Sequence, residues 1–358
     1  MLMTTRRCRG AAPPVRLRRR RAAALVGLVG VAVACMFGAS STRALAQQAN
    51  GDELETIRIR PNVYMIAGAG SNVVVQVGPI GLVVVDTASE QEADRTLAAI
   101  RKISDLPIRY IFNTGADPDH VGGNGTLSKA GVTILGGSRG NASFTDDVEN
   151  AFDLNYGLAT VFAHENVLAR MSRSPRVDEA QWPTKVYTRA YLMALNGEGI
   201  QVLHNPAAHS DGDSTVLLRR ADVVVSGDIV DINRFPVIDI DAGGSIQGEI
   251  DALNRLLDLT IPPFPLTWQA AGTVVVPGHG RPLDYSDVEE YRDMVVIVRD
   301  IINDMIARHM TLAQVKAADP AKAYRGRYGA DSGSWTTDMF VEAVFAGLSA
   351  QRHDHDAR

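Results

Sequence analysis

The sequence predicts an α/β protein made of two β-sheets packed face to face, with helices covering the outer faces. Short β-branched runs bounded by Gly, Pro or Asp recur in two groups, and each group leads into segments whose apolar residues have helical spacing. The loops that follow several of these runs are rich in Gly and Asp. No tandem repeat or long low-complexity segment interrupts the pattern.

The first group comprises 56–60, 63–67, 72–77 and 82–86. Gly78-Pro79-Ile80-Gly81 has the residues of a hairpin turn between the last two of these strands. Residues 89–103 follow with helical spacing, an acidic start and a basic end, which suits the helix dipole. A buried strand is expected at 110–113 and a helical section over 138–170. The second group comprises 191–195, 200–204, 214–218 and 223–226, then a helix at 245–259, a strand at 273–276 and a long helix at 287–310. Residues 311–348 read as two helices around a Gly-rich loop at 325–334. The domain reading is therefore a main domain, 47–310, a helical extension, 311–350, that caps it, and a polar tail, 351–358, expected to fray. Trp335-Thr336-Thr337 is a candidate wall of a cleft.

Residues 1–46 stand apart. They contain nine arginines and no acidic residue, with Arg18-Arg19-Arg20-Arg21 abutting an apolar stretch at 22–38 and Ala44-Leu45-Ala46 after it. A basic head, a short apolar middle and a small-residue end are the parts of a secretory signal peptide, and the middle is short for a bilayer span. Cleavage after Ala46 is expected, with export to the periplasm or the medium and no stable membrane anchor. Both cysteines, Cys8 and Cys35, fall in this segment, so the mature chain would have neither a disulfide nor a thiolate ligand. The remaining 27 Lys and Arg against 41 Asp and Glu leave a net charge of −14. A surface so acidic argues against nucleic acid as a partner, since phosphate binding needs a basic footprint. A small-molecule substrate is expected instead.

The chemistry concentrates in strand-end loops: 113–124 (NTGADPDHVGGN), 208–214 (AHSDGDS), 226–228 (SGD) and 277–280 (PGHG). Three of the eight histidines, His120, His209 and His279, lie in them. Imidazoles and carboxylates carried together on such loops are the donors a divalent metal such as zinc needs. The glycines let several backbones approach one ion.

Residues 114–124 resemble the metallo-β-lactamase superfamily signature T-H-x-H-x-D-H-x-G-G-N, and the three downstream loops follow in that family's order. The resemblance runs from about Thr56 to Met310. It implies an αββα four-layer sandwich and a metal-dependent hydrolase. It also implies that Asp119, His120 and His279 hold one metal with Asp228 as a shared carboxylate, and that His209 serves the other site. Where the family has its first two histidines this chain has Gly115 and Asp117. Gly115 offers no side-chain ligand, whereas Asp117 does, which leaves Asp117, His209 and Asp228 for the second site. Such an oxygen-rich set is weaker for zinc and better suited to manganese or iron. One firmly held zinc and a second, weaker site are expected.

A bound cation lowers the pKa of its water to about 7 and polarises the bond under attack. The implied reaction is hydrolysis of an ester, lactone, β-lactam, thioester or sulfate ester, with Asp119 or Asp117 orienting the water or taking its proton. Two other classes stay open: a non-catalytic metal-binding accessory protein of the same fold, and an iron redox metalloprotein. His164, His204 and His309 are expected to be structural.

Overall fold

The computed structural model describes residues 54–134, 157–173, 177–263 and 272–356. The expected signal peptide, 1–46, lies outside the described residues. Seven strands form the first sheet in sequence order: β1 (Glu55–Arg60), β2 (Val63–Ala69), β3 (Ser71–Gly78), β4 (Gly81–Val85), β5 (Ile108–Phe112), β6 (Thr160–His164) and β7 (Lys185–Tyr187). β1 to β4 pair antiparallel, and β4 to β7 pair parallel. The second sheet has five strands in the order β12-β11-β10-β9-β8: β8 (Ala190–Leu195), β9 (Glu198–His204), β10 (Ser214–Leu218), β11 (Val223–Gly227) and β12 (Val274–Pro277). Only β11 and β12 pair parallel in it.

The described α-helices, in chain order, are α1 (Ala93–Ile103), α2 (Pro118–Val121), α3 (Asn124–Lys129), α4 (Glu165–Met171), α5 (Ile246–Leu259), α6 (Tyr285–Ala307), α7 (Leu312–Ala318), α8 (Arg325–Tyr328) and α9 (Thr337–Asp356). Their starts are specified locally. Ser245 Oγ accepts the Gly248 N–H at α5, and Asp284 and Asp287 form a capping box at α6.

Strand alternation builds the layers. Val74, Val83 and Val85 point inward to meet Val216, Val223, Val225 and Val276 of the second sheet. Their neighbours Val73, Val75, Leu82 and Val84 point outward, onto Ala99 and Ile100 of α1 and Leu127 of α3. In the second sheet Val224 and Val275 turn outward, into a core shared with α5, α6 and α9. β3, β4 and β11 read as continuous apolar runs because both of their faces are covered. Each buried Val or Leu contributes about 1.5–3 kcal/mol. The result is an αββα four-layer sandwich with helices of the C-terminal part, α7 and α9, packed on the second sheet's helical layer.

Two sequence expectations meet a different structure, and one short strand had none. The helical section expected over 138–170 is in part a strand: β6 occupies Thr160–His164 and α4 begins only at Glu165. Every residue of β6 is buried, and a short run covered on both faces carries no periodicity to separate it from a buried helix. Residues 138–156 of that section lie outside the described residues. The three-residue β7 has too few positions to show a pattern. The last helix runs on to Asp356, through most of the segment expected to fray. Among the described residues, no helix is long and apolar enough to cross a membrane.

The parallel pairs place the site. β4 and β5 run the same way and end at Val85 and Phe112; β11 and β12 do the same and end at Gly227 and Pro277. Backbone bonds stitch these ends across the sandwich: Ser214 N–H to Thr114 O at 2.7 Å, Asn72 N–H to Gly278 O at 2.7 Å, and Gly278 N–H to Gly227 O at 2.8 Å.

Candidate metal centre

The loop after β5 is held by its two ends. The side-chain amides of Asn113 and Asn124 exchange hydrogen bonds of 3.0 and 2.9 Å, and Thr87 Oγ1 donates to Asn124 Oδ1 at 3.0 Å. Gly123 presses so close to strand β4's exit that a Cβ would stand 2.1 Å from Thr87 O. Between these anchors Pro118 opens α2, where a proline has no N–H to lose. Asp117 occupies the N-cap of that turn but makes no capping bond. Its carboxylate goes to His209 instead, which separates it from an ordinary turn aspartate.

All six expected ligands come together. Asp119, His120 and His279 offer donor atoms within 4.8 Å of one another, and so do Asp117, His209 and Asp228. Asp228 also reaches into the first group: its Oδ1 lies 3.2 Å from His120 Nε2 and 3.3 Å from His279 Nε2. His279 Nε2 is 3.4 Å from Asp119 Oδ2, and His209 Nε2 is 3.1 Å from Asp117 Oδ2.

The donors fit a divalent cation because their second ring nitrogens are already committed. His120 Nδ1 lies 2.9 Å from Asp86 Oδ2, and Asp86 in turn accepts from Thr114 N at 2.8 Å and Thr114 Oγ1 at 2.6 Å. His209 Nδ1 donates to Val237 O at 2.8 Å. In these tautomers both Nε2 lone pairs turn into the site, as metal-binding imidazoles require. Gly278 completes the cradle: a Cβ there would stand 2.4 Å from Asp228 Oδ1 and 3.0 Å from the His120 ring. At Gly115 the reverse holds. A Cβ would meet Asp117 Oδ2 and Asp213 Oδ1 at 3.8 Å, ordinary van der Waals contact, so a side chain can start from this position beside the second cluster.

Asp86 is a positioning residue that the motif reading did not single out. Asp86→Asn should lower metal affinity about 10–100-fold, because the amide can no longer accept the His120 proton with a full charge. Competition against a chelator measures this, and an unchanged affinity would show that His120 is oriented without Asp86.

Without metal the clusters are networks of ion pairs. Burial pushes the Asp228 carboxyl up, but His120 and His279 together hold it well below the usual range. Burial pulls His120 down, and Asp228 and Asp86 outweigh it and raise it well above 6.5. His209 is likewise raised against its burial, to about 10, by its bond to Asp117 and the charge of Asp213. Asp117, despite its burial, is lowered by His209. Protons on the imidazoles thus occupy the role that cations would take, and metal binding releases them.

Two buried acids also face this region. Asp213, which accepts from Ser210 N at 2.6 Å and Ser210 Oγ at 2.9 Å, is raised by burial to about 6. Glu249 is wholly buried on α5 with neither oxygen hydrogen-bonded, and burial with the charge of Asp213 raises it well above its ordinary value. Nothing in the periodicity of α5 marks it, since it occupies an apolar-face position.

The clusters open into a cavity of about 380 Å³. Among the described residues Arg234 is the one Lys or Arg lining it, and its Nε donates to Asp231 Oδ2 at 2.7 Å. The other histidines stand elsewhere. His164 and His204 stack 3.5 Å apart, and each Nε2 bonds a backbone carbonyl at 2.8 Å. His164 ends β6 and caps α4, where a helix position was expected. His309 lies just past α6 in a left-handed turn.

Comparison with known proteins agrees with the fold. Residues 66–279 match the family model of the metallo-beta-lactamase superfamily. A linear primary-alkylsulfatase of Pseudomonas sp. is 25% identical over 254 residues, which cover 63% of this chain and 44% of that protein. Among solved structures, a double mutant of the sec-alkyl sulfatase PisA1 superposes with a TM-score of 0.55 at 14% identity, covering 84% of this chain and 50% of that one. The stereoselective inverting sec-alkylsulfatase Pisa1 from Pseudomonas sp. gives 0.54 at 14% identity, covering 82% and 50%. The structural likenesses concern the fold. The chain spans about half the length of these relatives.

Proposed function

The chain belongs to the metallo-beta-lactamase superfamily, and on that footing we propose that it is a metal-dependent hydrolase of sulfate esters. The observation that carries the reading is the lining of the cavity, where, among the described residues, two imidazole–carboxylate clusters stand with a single guanidinium. Asp119, His120, His279 and Asp228 would hold one ion, with donors suited to zinc. Asp117, His209 and Asp228 would hold a second, with the oxygen-rich set that suits manganese or iron. A divalent cation there supplies Lewis acidity and makes water a usable nucleophile near neutral pH.

The protein's own groups do the rest. Arg234 has its Nε committed to Asp231, and its two terminal nitrogens have no partner among the described residues. A planar guanidinium held in this way binds two oxygens of an anion side by side. Asp117, held low by His209, is ionised at neutral pH and stands at the cavity wall as a proton acceptor for the attacking water. The linear primary-alkylsulfatase relative supports the same ester class. From the N-terminal sequence pattern we further propose that the enzyme works outside the cytoplasm.

The test is metal analysis of protein purified without added metal, joined to a panel of alkyl and aryl sulfates, a β-lactam, a lactone and a thioester. Sulfate release that chelation abolishes and metal restores is the expected result. Turnover confined to lactones or β-lactams would redirect the substrate class. A metal-loaded protein inert on the whole panel would favour the accessory reading.

A further inference from the structure

At the end of the sandwich away from the metal centre, hairpin turns of both sheets surround a second cavity, of about 650 Å³. Strand β11 sets the separation. Asp222 lines this cavity and Asp228 belongs to the metal clusters, and the chain between them, mostly extended, spans about 20 Å. We propose that the cavity binds a small zwitterion, a molecule that carries a carboxylate and an ammonium group. This does not depend on the sulfate-ester reading.

The walls are fixed before any ligand arrives. Glu198 is 2% exposed and spends its carboxylate on backbone: Oε1 accepts from Gly199 N at 3.0 Å and Arg220 N at 2.5 Å, and Oε2 accepts from Ala221 N at 2.9 Å. It shapes the turn between β10 and β11 and makes no bond to the Arg220 guanidinium. Arg60 clamps the same turn from the first sheet, its Nε donating to Ala221 O at 3.0 Å and its Nη2 to Gly272 O at 2.7 Å. Asn196 ties the two sheets at another wall, donating to Gln76 Oε1 and Gly81 O, both at 2.9 Å.

Arg220 and Asp222 stand on this turn with opposite charges that are not paired with each other. The Arg220 side chain is exposed and has no partner among the described residues. Its Nη1 lies 3.0 Å from where a Cβ of Gly197 would stand, so the guanidinium lies against the turn between β8 and β9, and glycine at φ +72° leaves room for it. Asp222 accepts from Thr273 Oγ1 through Oδ1 at 2.7 Å and keeps Oδ2 for a ligand. With Arg60 and Glu198 counted, the charged side chains lining the cavity balance. A lone anion or a lone cation would therefore leave one of the two open charges unmatched, whereas a zwitterion matches both. The guanidinium takes the carboxylate side by side, and the Asp222 carboxylate takes the ammonium.

The experiment measures binding to the full metal-loaded protein by calorimetry. The probes are ω-amino acids from glycine to 5-aminopentanoate, with acetate and methylamine as controls that carry one charge each. One chain length should bind best, at least about tenfold more tightly than either control, because each hydrogen-bonded charge contact is worth about that factor or more. Arg220→Gln should remove this probe's advantage over methylamine. Asp222→Asn, which keeps an acceptor for Thr273 and tolerates the left-handed backbone at this position, should remove its advantage over acetate. Metal content should match the parent chain in both variants. Arg219→Gln, at a neighbouring arginine outside the cavity lining, should bind as the parent does. Any probe held at the metal centre stays bound in all three variants, so only the loss on substitution counts. Binding of the whole series no tighter than acetate, or equal binding by the parent and Arg220→Gln, overturns the assignment.

Discussion

Asp228→Asn should strip metal from both clusters and lower turnover of the native ester about a thousandfold. The substitution keeps the side-chain volume and removes the charge. Asp228 Oδ1 lies within 3.3 Å of the Nε2 atoms of both His120 and His279, and the same carboxylate completes the cluster with Asp117 and His209. Losing it therefore weakens both ion sites at once. Lewis-acid assistance is worth several kcal/mol of barrier, which sets the thousandfold scale. The metal-free protein should also lose stability, because His120 is buried and would keep only Asp86 as its counter-charge. Elemental analysis and steady-state rates on the same preparation check this. Full metal content with a rate within tenfold of the parent would show that Asp228 is not the shared ligand.

Gly115→His combined with Asp117→His should raise tightly bound zinc from one ion to two per chain and abolish most activity on the native ester. Space permits it: a Cβ at Gly115 meets nothing closer than 3.8 Å, and Asp117 already reaches His209 at 3.1 Å. Three imidazoles and Asp228 then replace a set of two carboxylates and one imidazole, which favours zinc. The cost is Asp117 itself, the carboxylate assigned as proton acceptor while only the first cluster holds an ion. Zinc titration and a comparison of rates on the native ester and on a generic ester decide the point. A gain on every substrate would mean that the parent loop is a decayed site and no specialisation. Unchanged metal and unchanged rates would mean that neither position faces an ion.

The six candidate ligands were legible because a loop motif is a local statement. Asp119 and His120 follow a strand and precede a Gly-Gly-Asn that clamps the loop, and that sequence of residue types has few other uses. Downstream, His209, Asp228 and His279 each follow a hydrophobic strand, so their order along the chain stood in for their meeting in space. Asp117 was ambiguous, since an aspartate before proline also makes turns. Its missing capping bond and its contact with His209 resolve the ambiguity. Asp86 ends an apolar strand and had a weak signal of that kind. Arg234 had none: it lies in an irregular segment and lines the cavity only through space.

The sequence by itself determined what depends on neighbours along the chain. That includes the alternation that makes both faces of β3 and β4 apolar, the caps that start α5 and α6, and the ligand types on each loop. The tertiary structure alone decided what depends on distance. It made β6 a strand, by covering both faces of a segment whose own pattern was neutral between strand and helix. It also made Asp228 common to two clusters and left room for a side chain to start at Gly115. And it brought the last helix, over a hundred residues from Asp228 in sequence, alongside the metal cavity. Hydrophobic burial is non-directional and can be read from composition and period, whereas coordination and cleft shape require a particular set of side chains to converge on one point.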